Sequence, residues 1–277
     1  MAPSIKEKIG LAMYTIHQSA QADLENALMQ TAAAGCRGIE FYGGLEFDSE
    51  TVRRALERSG LTLTGWHVEW RTLQEDRFDK TVRYLQEVGC PMAVVPCLGG
   101  KWQIAHTQAQ ESEQIWQTHI AWLNETARRL TSEGLRMGYH IHEHEFMLHY
   151  GGKPLFDYLF DQLSGQIVME FDTGNCIEGG DDPLRVLKKY RDRAMILHLK
   201  PYSHRLGFDV VLGEAQDEND WPAILAARPF EWLLLESENT QLPEWENAGR
   251  CLKQLYEYTS ALESSAPEKG SSFGLPQ

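Results

Sequence analysis

The sequence is short of basic residues. Against 40 Asp and Glu it carries 26 Lys and Arg, a formal net charge of −14. Affinity for a phosphate backbone comes from clustered Lys and Arg, so no nucleic-acid partner is expected, although a small, locally basic pocket is not excluded. Cysteine is scarce too. Cys36, Cys90, Cys97, Cys176 and Cys251 are odd in number and contain no CxxC pair. They predict reduced thiols in a cytoplasmic protein. No apolar run approaches the roughly 18 residues that would suggest a membrane span. The opening MAPSIKEKIGLAMYT has no long apolar stretch and predicts no signal peptide. No GxGxxG follows the first strand-like run, which weighs against a dinucleotide fold.

What is present is a repeated punctuation. An amphipathic segment ends in glycine and a short apolar run follows, as in ALMQTAAAGCRGIEFYG (27–43) and RLTSEGLRMGYHIHEHEF (129–146). Gly35, Gly60, Gly89 and Gly134 stand where helix C-terminal caps belong. Eight strand-like runs are read at 9–15, 37–42, 62–69, 92–97, 135–142, 167–172, 194–200 and 231–236. Helical patterns lie between them at 21–34, 49–59, 75–88, 110–133, 154–163, 183–190 and 221–227, with a last one at 244–262. Asp182-Pro183 and Asp220-Trp221-Pro222 read as capped helix starts. Strict alternation implies a parallel sheet, and eight units favour closure. The expected fold is one α/β domain, a single (β/α)8 TIM barrel over 1–263, with a Ser-, Gly- and Pro-rich flexible tail at 264–277.

Active sites of such barrels lie at the C-terminal strand ends. Those ends are unusually polar here: His67 and Glu69; His140, His142, Glu143, His144 and Glu145; Glu170 and Asp172; His198 and Lys200; Glu236 and Glu238. Residues two apart on a strand share a face, so each set can point into one space. A lone His or Glu at a strand end is ordinarily structural or solvated. Five strands converging on one mouth is different, because burying so many ionisable groups costs several kcal/mol each without compensation. One divalent metal ion is the simplest compensation. Oxygen and nitrogen donors suit Mn²⁺, Co²⁺, Zn²⁺, Fe²⁺ or Mg²⁺. Cys176, close to Asp172 in sequence, reads as a buried thiol.

These residues carry a resemblance. GLAMYTIH (10–17), AAGCRGIEF (33–41), YHIHEHEF (139–146), FDTGN (171–175), HLK (198–200), GEAQDENDWPAIL (213–225) and LLLESE (233–238) match, in order and spacing, blocks of the xylose isomerase-like barrels. The chain resembles the sugar phosphate isomerase/epimerase group in particular, and inosose dehydratases are similar to that group. The resemblance implies metal ligands Glu145, Asp172, His198 and Glu236, with Mn²⁺ the preferred ion. Glu143 has the parity of Glu145 and is the alternative on strand 5. Ile141 and the pair Glu143-His144 depart from the family pattern beside the substrate.

The implied chemistry moves a proton next to a carbonyl of a keto or open-chain sugar through a metal-stabilised enediolate. Glu145 and Glu236 are the implied base and acid. His67 is expected either to hydrogen-bond a substrate hydroxyl or move a proton, or to be structural. Lys200 holds a sugar oxygen or pairs with a site carboxylate. Glu40 stands behind the site or makes an internal ion pair. His142 contacts substrate or orients a ligand. Trp102 stacks on the sugar or packs. The same site supports a lyase or dehydratase acting on a keto-sugar, keto-glycoside or inosose. The charge opposes a DNA-repair endonuclease, and the intact ligand set opposes a degenerate sugar-binding barrel. Only Lys200 and His204-Arg205 offer positive charge near the last strands, which favours a substrate without phosphate. A homo-oligomer is open, with Trp116 and Trp122 either at an interface or in helix packing.

Overall fold

The structure is a computed structural model, described over residues 4–43, 45, 47–98 and 112–265. Eight parallel strands close into a barrel in sequence order. They are β1 (Ile9–Ala12), β2 (Gly38–Tyr42), β3 (Thr62–His67), β4 (Met92–Val95), β5 (Arg136–His140), β6 (Ile167–Asp172), β7 (Met195–Leu199) and β8 (Leu233–Leu235). Closure is made by β1 against β8, with Leu11 opposite Leu235. A two-residue antiparallel hairpin, His149–Tyr150 with Lys153–Pro154, lies outside the barrel.

The helices form where the sequence supplies caps. Those used below are α3 (Ser49–Ser59), α5 (Glu113–Ser132), α6 (His144–Met147), α8 (Thr173–Glu178) and α11 (Glu244–Ser265), named by their order in the chain. At the start of α3 the Asp48 carboxylate accepts from Thr51 N–H at 2.9 Å. Gly60 ends that helix at φ +69°, a conformation that disfavours any side chain. The pattern expected at 21–34 is broken into two helices, His17–Ala22 and Leu24–Ala33, because Asp23 caps the second through Asn26 N–H. Helix α11 runs through Ser265, so it takes in the first residues of the expected tail. Residues 266–277 lie outside those described.

Two apolar regions sandwich the strands. The larger fills the space between sheet and helices; the smaller, Met92, Val94, Val168, Ile196 and Leu234, sits inside the barrel. The interior has little room. A Cβ on Gly138 would lie 3.1 Å from Val94 Cγ2, and one on Gly65 would lie 3.1 Å from Glu40 Oε1. Glycine at position 65 thus leaves space for a carboxylate in the interior. Above the apolar plug, towards the C-terminal strand ends, the inward positions become imidazoles and carboxylates.

Candidate metal centre

Strand alternation delivers the site. Glu170 and Asp172 share the inward face of β6, and both are fully buried. His140 ends β5 and His198 lies in β7 directly opposite Asp172. Glu236 follows the last residue of β8. Asp172 also caps α8: Oδ1 accepts from Asn175 N–H at 2.8 Å, while Oδ2 has no hydrogen-bond partner.

Two overlapping groups result. His140, Asp172, His198 and Glu236 form the first; His67, His140, Glu170 and His198 form the second; within each, the ligand atoms lie within 4.8 Å of one another. In the first, His198 Nδ1 and Glu236 Oε2 are 2.5 Å apart. In the second, His67 Nε2–H donates to Glu170 Oε2 at 2.6 Å, and His140 Nδ1 lies 3.1 Å from the same oxygen. Glu40 joins the second group, with Oε2 at 2.9 Å from His198 Nε2 and 3.1 Å from His67 Nε2. These approaches are close but misaligned, so neither Glu40 oxygen meets hydrogen-bond geometry; nor do Glu170 Oε1, His140 Nδ1 or His198 Nε2. Buried donors and acceptors that converge without bonding one another fit a divalent cation of mixed nitrogen and oxygen preference.

The electrostatics follow from burial. It pushes Glu170 up to about 7, helped by Glu40 and opposed by His67 and His198. It also lifts Asp172 to about 7 against Lys200, with Glu236 adding to the rise. Burial alone would lower His67, but Glu40 and Glu170 raise it to about 10. It would raise Glu40, but His67 and His198 hold that carboxyl well below its usual range. His140 is pushed well down by burial and by the neighbouring histidines, which keeps it neutral and able to ligate. Lys200, fully enclosed, donates to Glu236 Oε1 at 3.0 Å and to Glu238 Oε1 at 2.5 Å, and lies 3.8 Å from Asp172 Oδ2. Its ammonium also sits 4.6 Å over the Phe208 ring.

A cavity of about 140 Å³ opens onto these groups. Glu40, His67, His140, His142, Glu236 and Glu238 supply its polar lining, and Tyr14, Tyr42 and Pro96 are on its apolar side. The Tyr14 and Tyr42 rings meet edge to face at 5.1 Å.

Glu145 is not brought to either group. Tyr139 Oη donates to its Oε1 at 2.7 Å and His142 N–H donates to its Oε2 at 2.9 Å. The reason is local. Pairing of β5 ends at His140 and the chain turns into α6, which starts at His144 and carries Glu145. Glu145 then sides with Tyr139, whose ring packs edge-on against Phe160 in the layer outside the barrel. Glu143 is buried but belongs to neither group. Glu40, expected behind the site or in an internal ion pair, lies against His67 and His198 beside the second group. His142 lines the cavity, whereas Lys200 braces the carboxylates from beside it. Trp102 lies outside the described residues. Trp116 is fully buried in helix packing and Trp122 meets Trp70 edge to face. Cys176 is buried and in neither group.

Two residues that sequence reasoning named among the polar strand ends without an individual role, His140 and Glu170, stand in these groups. The signal was present in both: each is two residues before a residue already singled out on the same strand. Tyr14 and Tyr42, by contrast, carry no sequence signal beyond their place just after β1 and at the end of β2.

Comparison with known proteins agrees with this architecture. The model of the xylose isomerase-like TIM barrel matches residues 28–255. The chain belongs to that family. Among curated relatives, an inosose dehydratase of Geobacillus kaustophilus is 25% identical over 195 residues, covering 65% of this chain and 62% of the relative. The first relatives of this kind are thus matched over less than two thirds of their length. An inosose dehydratase of Clostridium tetani is 24% identical over 251 residues, covering 79% of this chain and 83% of the relative. Among solved structures, a sugar phosphate isomerase/epimerase from Parabacteroides distasonis superposes with TM-score 0.72 at 17% identity, covering 94% of this chain and 98% of that one. An L-ribulose 3-epimerase gives TM-score 0.67 at 16% identity, covering 95% and 99%. At such identities these structures share the barrel. The family contains isomerases, epimerases and dehydratases. No helix among the described residues is long and apolar enough to cross a membrane.

Proposed function

We propose that the protein is a divalent-metal-dependent sugar isomerase or epimerase that moves a proton next to the carbonyl of a keto or open-chain sugar. The observation that carries this reading is the convergence of His140, Asp172, His198 and Glu236, all buried at the mouth, with Glu236 on the cavity wall. These four residues would hold the ion. Two imidazoles among the donors favour Mn²⁺, Co²⁺, Zn²⁺ or Fe²⁺ over Mg²⁺, with Mn²⁺ the first choice. A bound divalent cation supplies Lewis-acid stabilisation of negative charge on substrate oxygens.

The chain's own groups do the rest. Glu236 faces the cavity as a carboxylate and is placed to take a proton from carbon, with Lys200 and His198 fixing its two oxygens. His67, held by Glu40 and Glu170, is placed to donate to a substrate oxygen. Tyr14, Tyr42 and Pro96 offer an apolar wall to the carbon-bound face of a sugar. With Glu145 turned away, His67 replaces it as the second proton-handling group. The cavity lining among the described residues contains no Lys or Arg, which favours a substrate without phosphate.

A second reading, a dehydratase on a keto-sugar or inosose, is favoured by the curated relatives, which are inosose dehydratases at 24–26% identity. The same proton removal then expels a neighbouring hydroxyl that His67 protonates. One experiment tests both. Keto-sugars and inososes are incubated in deuterium oxide with the Mn²⁺-reconstituted protein and with Asp172→Ala. Deuterium entering recovered or isomerised sugar supports the first reading, and loss of water supports the second. The variant is expected to bind about one ion fewer per chain and to slow either reaction at least about a hundredfold. Equal metal and equal rate in the variant would sink the ligand assignment.

A further inference from the structure

A second cavity, of about 320 Å³, adjoins the one that opens onto the metal centre. Tyr14 and Glu238 line both, so the two meet at these side chains. Its other walls come from residues after β1 and from the segment between β8 and α11, with His17, Gln18, Asn239 and Thr240 among the polar groups. Small-ligand pockets are ordinarily about 300–1,000 Å³. The second cavity reaches that range alone, whereas the first, at about 140 Å³, does not. A ligand confined to the metal side would leave the larger space to water.

The second cavity is built in advance. Glu244, at the start of α11, accepts from Gln18 N–H at 2.8 Å, from Ser19 N–H at 3.0 Å and from the Ser19 hydroxyl at 2.8 Å. Behind them Asn247 Nδ2 donates to Ser237 Oγ at 2.8 Å, and Ser237 N–H donates to Thr15 Oγ1 at 3.0 Å. These bonds tie the two walls together. Asn239 spends its Oδ1 on its own turn, accepting from Gln241 N–H at 2.9 Å and Leu242 N–H at 3.1 Å, which leaves its amide donors for a ligand.

The lining indicates what kind of group fits. Tyr42 lines the first cavity, Tyr14 both and His17 the second. The Tyr14 ring meets Tyr42 edge to face at 5.1 Å and stacks on His17 at 5.4 Å, so one aromatic row spans both spaces. Aromatic rings suit the C–H face of a sugar, and side-chain amides and carboxylates suit its hydroxyls. The second cavity carries two carboxylates, Glu238 and Glu244, and among the described residues no Lys or Arg, which fits a neutral hydroxyl-bearing group over an anion. Glu238 also joins this space to the chemistry. Its Oε1 accepts from Lys200 at 2.5 Å, and the same ammonium donates to Glu236 Oε1 at 3.0 Å. A hydroxyl bonded to Glu238 is thus one side chain away from the proposed proton acceptor.

We propose that the second cavity holds a ring joined to the reacting sugar through a glycosidic oxygen, so that the substrate is a keto-glycoside of about disaccharide size and not a free keto-sugar. This rests on the function proposed above. The reacting ring lies by Glu236 and His67, and the attached ring lies past Tyr14, against His17, Gln18 and Asn239.

The test compares ligands of one and two rings on the full chain. Methyl α-D-glucoside, trehalose and sucrose have no carbonyl, so their binding is read by calorimetry without turnover. At least one of the disaccharides is expected to bind about tenfold or more tighter than the methyl glucoside. Gln18→Trp, filling the second cavity from its exposed rim, should bring that ratio close to one. His17→Ala, which removes the end of the aromatic row, carries the same arm should circular dichroism show Gln18→Trp misfolded. Equal affinity for one and two rings, binding of none of them, or a disaccharide preference that both variants leave intact overturns the second cavity. The keto forms of the same sugars, given to Mn²⁺-loaded protein in deuterium oxide, separate this from the reading it rests on. The kcat/KM for exchange should follow the binding ratio. Exchange that is equal for one and two rings sinks the second cavity and leaves the proposed function. Disaccharide binding that depends on Gln18, with no exchange or water loss in any keto form, keeps the cavity as a ring-binding site and sinks the function.

Discussion

The two ends of the barrel interior are built from the same strands and obey opposite rules. Towards the N-terminal ends, Met92, Val94, Val168, Ile196 and Leu234 exclude water and need no partners. A step or two along the same strands, Glu170 and Asp172 follow Val168, and His198 follows Ile196. These groups need compensation, which the protein meets in part with His67 and Lys200. The plug is stabilised by contact, with each filled site contributing about 2–3 kcal/mol of burial. The charged half is stabilised by pairing, and an unpaired member costs more than a paired one gains. The same inward alternation gives an apolar core or a cluster of ionisable groups, depending on the side chains it carries.

That contrast can be broken from either side. The largest stability effect is expected for Lys200→Met, which leaves Glu236, Glu238 and Asp172 without their shared cation. A loss of about 3–5 kcal/mol is expected in metal-free protein by denaturant titration. Added Mn²⁺ should recover part of it, because the deficit is one of charge. Leu234→Ala, in the plug, should cost about 3 kcal/mol. Mn²⁺ should stabilise that variant by no more than it stabilises the unsubstituted protein. Equal rescue of both would show that the two halves are not separately stabilised. The smallest effect is expected for Glu145→Gln. The substitution keeps the shape and can keep the bond from His142 N–H, while the amide nitrogen can only donate to Tyr139 Oη, so stability should fall by about 1–2 kcal/mol at most. Its metal content should stay that of the unsubstituted protein by elemental analysis. Loss of an ion there would return Glu145 to the ligand set.

The same contrast explains what could be read in the sequence. The barrel was legible because glycine-ended helices and apolar runs are local signals, and Gly60 behaves as its position suggested. The convergence of Asp172, His198 and Glu236 at one mouth was legible because each sits on or directly after a barrel strand. Glu145 was expected from the resemblance alone; β5 stops pairing at His140, and beyond it Tyr139 and the His142 N–H hold the Glu145 carboxylate. Glu170 and His140 were named among the polar strand ends but given no individual role, because a carboxylate or imidazole inside a strand ordinarily reads as structural. Their role depends on contacts across the barrel, with His67 from β3 and His198 from β7, which no local pattern encodes. Glu40 was seen, but its place needed Gly65 opposite it to leave room.

Closure of β8 against β1 bears on how such a protein is made. Glu236 reaches His198 only after the last strand has left the ribosome. Until then Glu40, His67, His140 and Glu170 face water on an open sheet, where carboxylates and imidazoles are well solvated and chain collapse around them is not favoured. The strand that closes the ring brings Glu236 to His198, so this pair forms only once the barrel is complete.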